Sequence, residues 1–305
     1  MVLDNKTKKY LKIICLVFFV VILTGCTANL DGKGKLIASR AITLDTPWTL
    51  KAGIFDFFLV IPISKSIIYI GDILLNNVAF GVVLVTILIN IIILPIMIKS
   101  TVSTQKMQLI QPEIERIQNK YKGRTDQTSQ MRMSQELQTL YKKNDVSMFA
   151  SFTTFLTLPI MFAMWQGVQR IQILYTTTFC GINLGTKPID KVFNFDIKYI
   201  ILLAVVAVTQ YFAMKITEIM SKRSPRYKQS NQMKSMSMMN NFMTLFIIYF
   251  AAIMPSAMSL YWMTTNLITI IRTWYIYIFH IEKAEKEVDQ ANTNYLTKRQ
   301  KKNKK

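Results

Sequence analysis

The sequence predicts an all-α polytopic membrane protein: five transmembrane helices, a cytoplasmic helical hairpin and an external interfacial helix. Three observations carry this. First, 51% of the 305 residues are hydrophobic, and they gather in runs near the roughly 20 residues that an α-helix needs to cross a bilayer. Second, 37 Lys and Arg face 17 Asp and Glu, and the excess sits in segments that alternate with those runs, as in loops held in the cytoplasm. Third, one basic segment repeats apolar residues at helical spacing on both sides of a turn. A net charge of +20 suits nucleic acid or an anionic membrane surface. Its placement beside the spans favours lipid and topology, and no DNA partner is expected.

Residues 1–25 read as a signal peptide: Lys6, Lys8, Lys9 and Lys12, then an apolar run from Ile13 to Leu23. Leu23-Thr24-Gly25-Cys26 looks like a bacterial lipobox, with Cys26 as the lipidated first residue of the mature chain. The alternative is a plain signal anchor with an unmodified cysteine. With Cys15 and Cys180 the only other cysteines, no disulfide framework is available. Residues 26–77 read as an external linker, with Gly32, Gly34 and Pro47, followed by an amphipathic helix on the outer interface. Asp56, Pro62, Lys65, Gly71 and Asp72 interrupt its apolar residues too often for a span.

The first span is 78–98, running inward, with Thr86 and Asn90 on one helical face. Residues 99–145 form the basic cytoplasmic hairpin. Met107, Ile110, Ile114, Ile117 and Tyr121 make one stripe, Met133, Leu137 and Leu140 the other, and Gly123 to Asp126 the turn. Its basic face reads either as simple topology or as a contact for the ribosome or anionic lipid. The span 146–175 goes out, 176–195 is an external loop, and 196–217 returns with Gln210 and Tyr211. Lys222, Arg223, Arg226, Lys228 and Lys234 mark 218–236 as cytoplasmic. The span 237–254 goes out, Pro255 turns the chain, and 256–279 comes in, leaving a lysine-rich cytoplasmic tail at 280–305.

The last span carries Tyr261, Trp262, Thr264, Thr265, Asn266 and Arg272 at membrane depth, so it must face protein or water. Tyr261, Thr265, Ile268 and Arg272 share a stripe. Trp165 and Trp262 read as packing between helices. Met233, Met236, Met238, Met239 and Met243 read as a helix start rather than a methionine binding surface. A single histidine, His280, makes no metal site, and no Walker motif or catalytic constellation is present. Neither a cofactor nor an enzymatic activity is expected.

Four sequence features resemble the YidC/Oxa/Alb membrane protein insertases in their Gram-positive lipoprotein form. They are Leu260-Tyr261-Trp262-Met263-Thr264-Thr265-Asn266 after Pro255, Met107 to Ile114 opening the hairpin, Thr86 to Pro95, and Leu158-Pro159-Ile160. The resemblance covers about residues 50–280. It implies five helices around a polar groove, open to cytoplasm and lipid, that receives the hydrophilic tail of a nascent membrane protein. Membrane lipids are partners, and the ribosome and the Sec translocon are candidate partners. On this reading Thr86, Asn90, Thr157, Gln210, Tyr261, Thr265 and Arg272 line the groove or contact substrate.

The sequence departs from the family at three of these positions. Asn90 stands where the family commonly has an arginine, Thr157 where it often has Gln, and Arg272 again where Gln is common. Asn90 and Arg272 lie about 18 Å and about 21 Å from the outer ends of their spans at 1.5 Å per residue. Arg272 therefore reads either as a relocated groove charge or as an arginine snorkelling to the inner interface beside Trp274, Tyr275 and Tyr277. A small polytopic transporter or channel is the competing function. No inverted repeat, broken-helix pair or intramembrane carboxylate supports it.

Overall fold

The structure, a computed structural model, describes residues 29, 31, 36–146, 152–221 and 231–281. Cys26, the basic stretch 222–230 and the tail beyond 281 lie outside the described residues. In chain order the helices are α1 (Ile61–Ile73), α2 (Val78–Leu109), α3 (Gln111–Lys120), α4 (Gln127–Lys143), α5 (Phe152–Arg170), α6 (Pro188–Val192), α7 (Ile197–Ser221), α8 (Asn231–Ile253) and α9 (Ser256–Ile276). A two-stranded antiparallel hairpin, β1 (Thr178–Phe179) and β2 (Ile182–Asn183), precedes α6. Among the described residues this pair is the only sheet, in keeping with an all-α membrane protein. Cys180 and Gly181, both at positive φ, make its tight turn. α2 and the Ile197–Met220 part of α7 are long and apolar enough to cross a membrane.

The chain divides into two compact units. The first comprises Met1–Asn90, Leu156–Gln210 and Thr244–Asn266. Its core packs Ile67 and Ile68 of α1, Val78, Val82 and Val85 of α2, Met164 and Val168 of α5, and Met258 and Tyr261 of α9. α1 and α2 touch backbone to backbone. A Cβ on Gly81 would sit 1.9 Å from the Ile67 carbonyl oxygen, and one on Gly71 would sit 2.5 Å from Val78 Cα. Leu75 and Asn76 turn the chain at positive φ between them. Asn77 then caps α2, its Oδ1 accepting from Ala79 N at 3.0 Å while its Nδ2 donates to Thr178 O at 3.0 Å.

The segment before α1 is more than a linker. Ile42 N donates to Arg170 O at 2.7 Å, Gln172 N donates to Ile42 O at 3.3 Å, and Ile42 and Ile171 form a parallel bridge. Ile42, Phe55, Val60 and Ile61 bury themselves against Ala163 of α5. The stretch read as a linker is thus pinned to the end of α5 at Ile42, by a backbone pairing that needs no apolar periodicity. The loop 176–195 is likewise tied down: Thr186 O and Leu184 O accept the backbone N–H groups of Ser256 and Ala257, both at 2.9 Å. These carbonyls satisfy donors that the start of α9 leaves without helical partners.

The second unit comprises Ile91–Phe155, Tyr211–Met243 and Leu267–Lys305. Its helical hairpin joins α3 and α4 through Gly123 at φ 83°. Ile110, Ile114 and Leu140 form the hairpin core with Val146, flanked by Met107, Ile117, Leu137 and Tyr141. Asp126 caps α4 by accepting from Ser129 N at 2.8 Å, which holds its carboxyl below the ordinary 3.8. Lys120 and Tyr121 both donate to Glu136. The lysine first and the tyrosine second hold its carboxyl below the ordinary 4.5. A second cluster joins Met220 of α7 to Ile276, Tyr277 and Ile281, and Tyr277 Oη donates to Thr217 O at 3.3 Å.

α2 does not end at 98, where its apolar run stops. It continues to Leu109 because no residue between interrupts helical backbone. The break falls at Ile110, φ −93° and ψ 5°, just ahead of Pro112, whose ring and missing N–H disfavour continuing the same helix.

Candidate functional site

The polar residues of the first unit lie on helices that carry no charge at their level. Residues 78–90, 159–169, 199–210 and 244–266 include no Asp, Glu, Lys, Arg or His. Polar groups there bond within their own helix, bond across to another segment, or are left without a partner. On α2, Thr86 is 2% exposed and its Oγ1 donates to Val82 O at 2.6 Å. Asn90, one turn on and partly buried, donates Nδ2 to Thr86 O at 2.9 Å. Both residues thus spend a donor on their own helix, as short polar side chains do where no water competes.

On α9, Thr264 Oγ1 donates to Leu260 O at 2.8 Å and Ser259 Oγ to Ala251 O at 3.2 Å. Asn266 Nδ2 reaches Thr209 Oγ1 of α7 at 3.5 Å. That contact puts Thr265 and Gln210, the next residues on each helix, in one layer. Gln210 is 1% exposed and its Nε2 has no hydrogen-bond partner. Thr265 Oγ1 is also buried and lacks a well-formed hydrogen bond. Trp165 Nε1 of α5 is a third such group. A buried donor left unmade costs about 1–3 kcal/mol, so each of these atoms favours an incoming water or peptide carbonyl.

The predicted site residues divide. Thr86, Asn90, Gln210 and Thr265 belong to this polar set. Tyr261 is buried in the apolar core of the same unit, beside Trp165 and Trp262, where it packs α9 against α2 and α5. Thr157 lies within α5. Arg272 belongs to the second unit, half-buried and engaged in an electrostatic or hydrogen-bonding interaction. Among the described residues no group of three His, Cys, Asp or Glu is placed to hold a metal.

Sequence reasoning missed the best-satisfied charge in the first unit. Arg170, the last residue of α5, donates Nη1 to Asp56 Oδ2 at 2.7 Å and Nε to Arg40 O at 2.8 Å, with side chains 7% and 12% exposed for arginine and aspartate. The available signal was a lone Asp56 inside an apolar stretch and a lone Arg170 closing an apolar helix. It missed Thr209 as well, whose role depends on facing Asn266.

The 60Kd inner membrane protein family profile matches residues 70–284. The chain belongs to this family, the YidC/Oxa/Alb proteins. Its relatives carry the corresponding names. It is 32% identical to membrane protein insertase YidC 2 of Listeria innocua over 88% of this chain and 84% of that protein. It is 31% identical to membrane protein insertase YidC of Alkalihalophilus pseudofirmus over 88% and 94%. It is also 31% identical to membrane protein insertase MisCA of Bacillus subtilis over 84% and 86%. As a YidC/Oxa/Alb protein it is an integral membrane protein of the bacterial cell membrane. Family membership accords with the uncharged polar set: an insertase needs no nucleophile, metal or coupled carboxylate.

Proposed function

We propose that this chain inserts and helps fold membrane proteins by lowering the cost of moving a hydrophilic segment across the bilayer. The observation that carries the proposal is the buried, uncharged and incompletely satisfied polar layer of α7 and α9 around Gln210, Thr265 and the Asn266–Thr209 contact. Transfer of a charged side chain to the bilayer centre costs at least about 2.5 kcal/mol. The Gln210 amide, whose Nε2 lacks a partner, and the hydroxyls beside it replace part of the hydration lost on the way. The apolar helix of the substrate then partitions into lipid, and its burial drives the step.

Five spans with the boundaries given above, a cytoplasm-open groove and a cytoplasmic C-terminus complete this reading, supported by the basic loops and family membership. Lipidation of Cys26 and engagement of the ribosome or Sec translocon belong to the same reading. Arg272 supplies the positive charge that the family usually carries at the position of Asn90.

The test is complementation in a bacterial host depleted of its own insertase, scored by protease protection of the translocated N-tail of a single-span substrate. Wild type should restore protection, and folded Arg272→Ala should fail. If wild type restores protection and the mutant does too, Arg272 is only an interfacial residue. If correctly expressed wild type restores nothing, the insertase proposal falls.

A further inference from the structure

Between Pro47 and Phe58 the chain presents Trp48, Leu50, Ile54 and Phe58 outward, each more than half exposed. This is four large apolar side chains in eleven residues. A surface of this kind in water needs an explanation. Three features identify what covers it.

The first is charge. The stretch contains two ionisable residues, Lys51 and Asp56. Asp56 turns inward to Arg170, which leaves Lys51 as the exposed ionisable side chain. A lysine stem can lie along acyl chains while its ammonium reaches the headgroups, but a carboxylate cannot do the equivalent beside anionic lipid. The second is the indole. Trp48 Nε1 donates to Phe57 O at 2.7 Å, so its one donor is satisfied within the segment and the ring can leave water without an unpaired N–H. Trp48 packs against Phe57, centroids 5.9 Å apart, and Phe57 meets Phe58 edge-on at 5.0 Å. The cluster is therefore a preformed aromatic wedge. The third is level. Asp56 is fastened to Arg170 at the end of α5, and the wedge flanks that bond. Where α5 ends as a span, acyl chains give way to headgroups, the depth at which Trp collects.

We infer that residues 48–58 form a lipid-inserting wedge that enters the outer leaflet at the headgroup–acyl boundary, with the Asp56–Arg170 pair fixing its depth. The inference rests on reading α5 as a span that ends outside. Within α1, Ile61, Ile67 and Ile68 are buried against protein, while Tyr69 and Ile73 are exposed and continue the apolar surface.

The test uses the full chain, one copy per nanodisc, with lipids brominated near the headgroup or near the chain end. Emission of wild type minus that of Trp48→Phe isolates Trp48. The expected result is a blue-shifted Trp48 signal, quenched most by shallow bromines and shielded from iodide. The residual emission of Trp165, Trp262 and Trp274 reports whether the helices are embedded. If that emission is quenched by bromolipid while Trp48 is quenched by iodide alone, the wedge faces water or a protein partner and the inference fails, leaving the span reading intact. If neither signal responds to bromolipid, the span reading fails and the wedge with it.

Discussion

Two ion pairs do opposite jobs in the two units of this protein. Arg170 and Asp56 are buried, 114 residues apart in sequence, and close a contact with further hydrogen bonds around it. Lys120 and Glu136 are mostly solvated and bridge the two legs of a hairpin. The first pair lies where neither charge can return to water if its partner is lost. The second exchanges one hydrated state for another. The same chemistry therefore fixes architecture in one unit and only trims it in the other.

Breaking the buried pair tests this contrast most severely. Arg170→Met leaves Asp56 uncompensated and is expected to destabilise the first unit by about 3–5 kcal/mol, read as lower thermal stability in detergent. Adding Asp56→Leu should recover most of that loss, because an apolar replacement of a buried pair is tolerated. An additive double mutant would remove the distinction drawn here.

The hairpin depends on apolar packing. Leu140→Ala is expected to cost about 2–3 kcal/mol, measured as faster amide exchange across α3 and α4. Leu140 is buried among Ile110, Ile114 and Val146. If Glu136→Gln accelerated exchange as much as Leu140→Ala, the exposed pair would matter as much as the core.

In the polar layer, stability and function should separate. Gln210→Leu removes a buried amide that lacks a partner and is expected to raise stability by about 1 kcal/mol. The same change should lower N-tail translocation in the depletion assay. A variant that is more stable and fully active would show that the amide is not used.

The smallest expected effect is on pH dependence. Hydrogen bonds hold the Asp126 and Glu136 carboxyls below 3.8 and 4.5. A lowered carboxyl contributes its stability in full above its unfolded value and loses it as pH falls through the folded one. Amide protection in α3 and α4 should therefore stay flat from pH 7 to pH 5 and decline only below about 4.5. Asp126→Asn, which keeps a capping oxygen, should flatten part of that decline.

Legibility in the sequence followed the range of the interaction. α2 and α7 were evident as apolar runs, and the hairpin as two stripes around Gly123, because local spacing encodes both. The span read at 78–98 and the helix Val78–Leu109 differ in length because hydropathy reports an apolar run, whereas helical backbone continues to the break before Pro112. Thr86 and Asn90 were readable as one face. Gln210 drew notice only as a polar residue in an apolar run, and its missing partner is a fact of packing. The Arg170–Asp56 pair and the Thr186–Ser256 cap join residues 114 and 70 positions apart, a separation that no periodicity reports.

The glycine crossing of α1 and α2 has a mechanical consequence. With no side chain between Gly81 and the Ile67 carbonyl, the two helices have no cushion of rotamers through which to slide. They behave as a welded corner, and a pull on the chain ahead of α1 is borne first by the ties of Arg170 to Arg40, Ile42 and Asp56. Tension applied to the chain ahead of Arg40 would thus load the end of α5 and spare the polar face of α2.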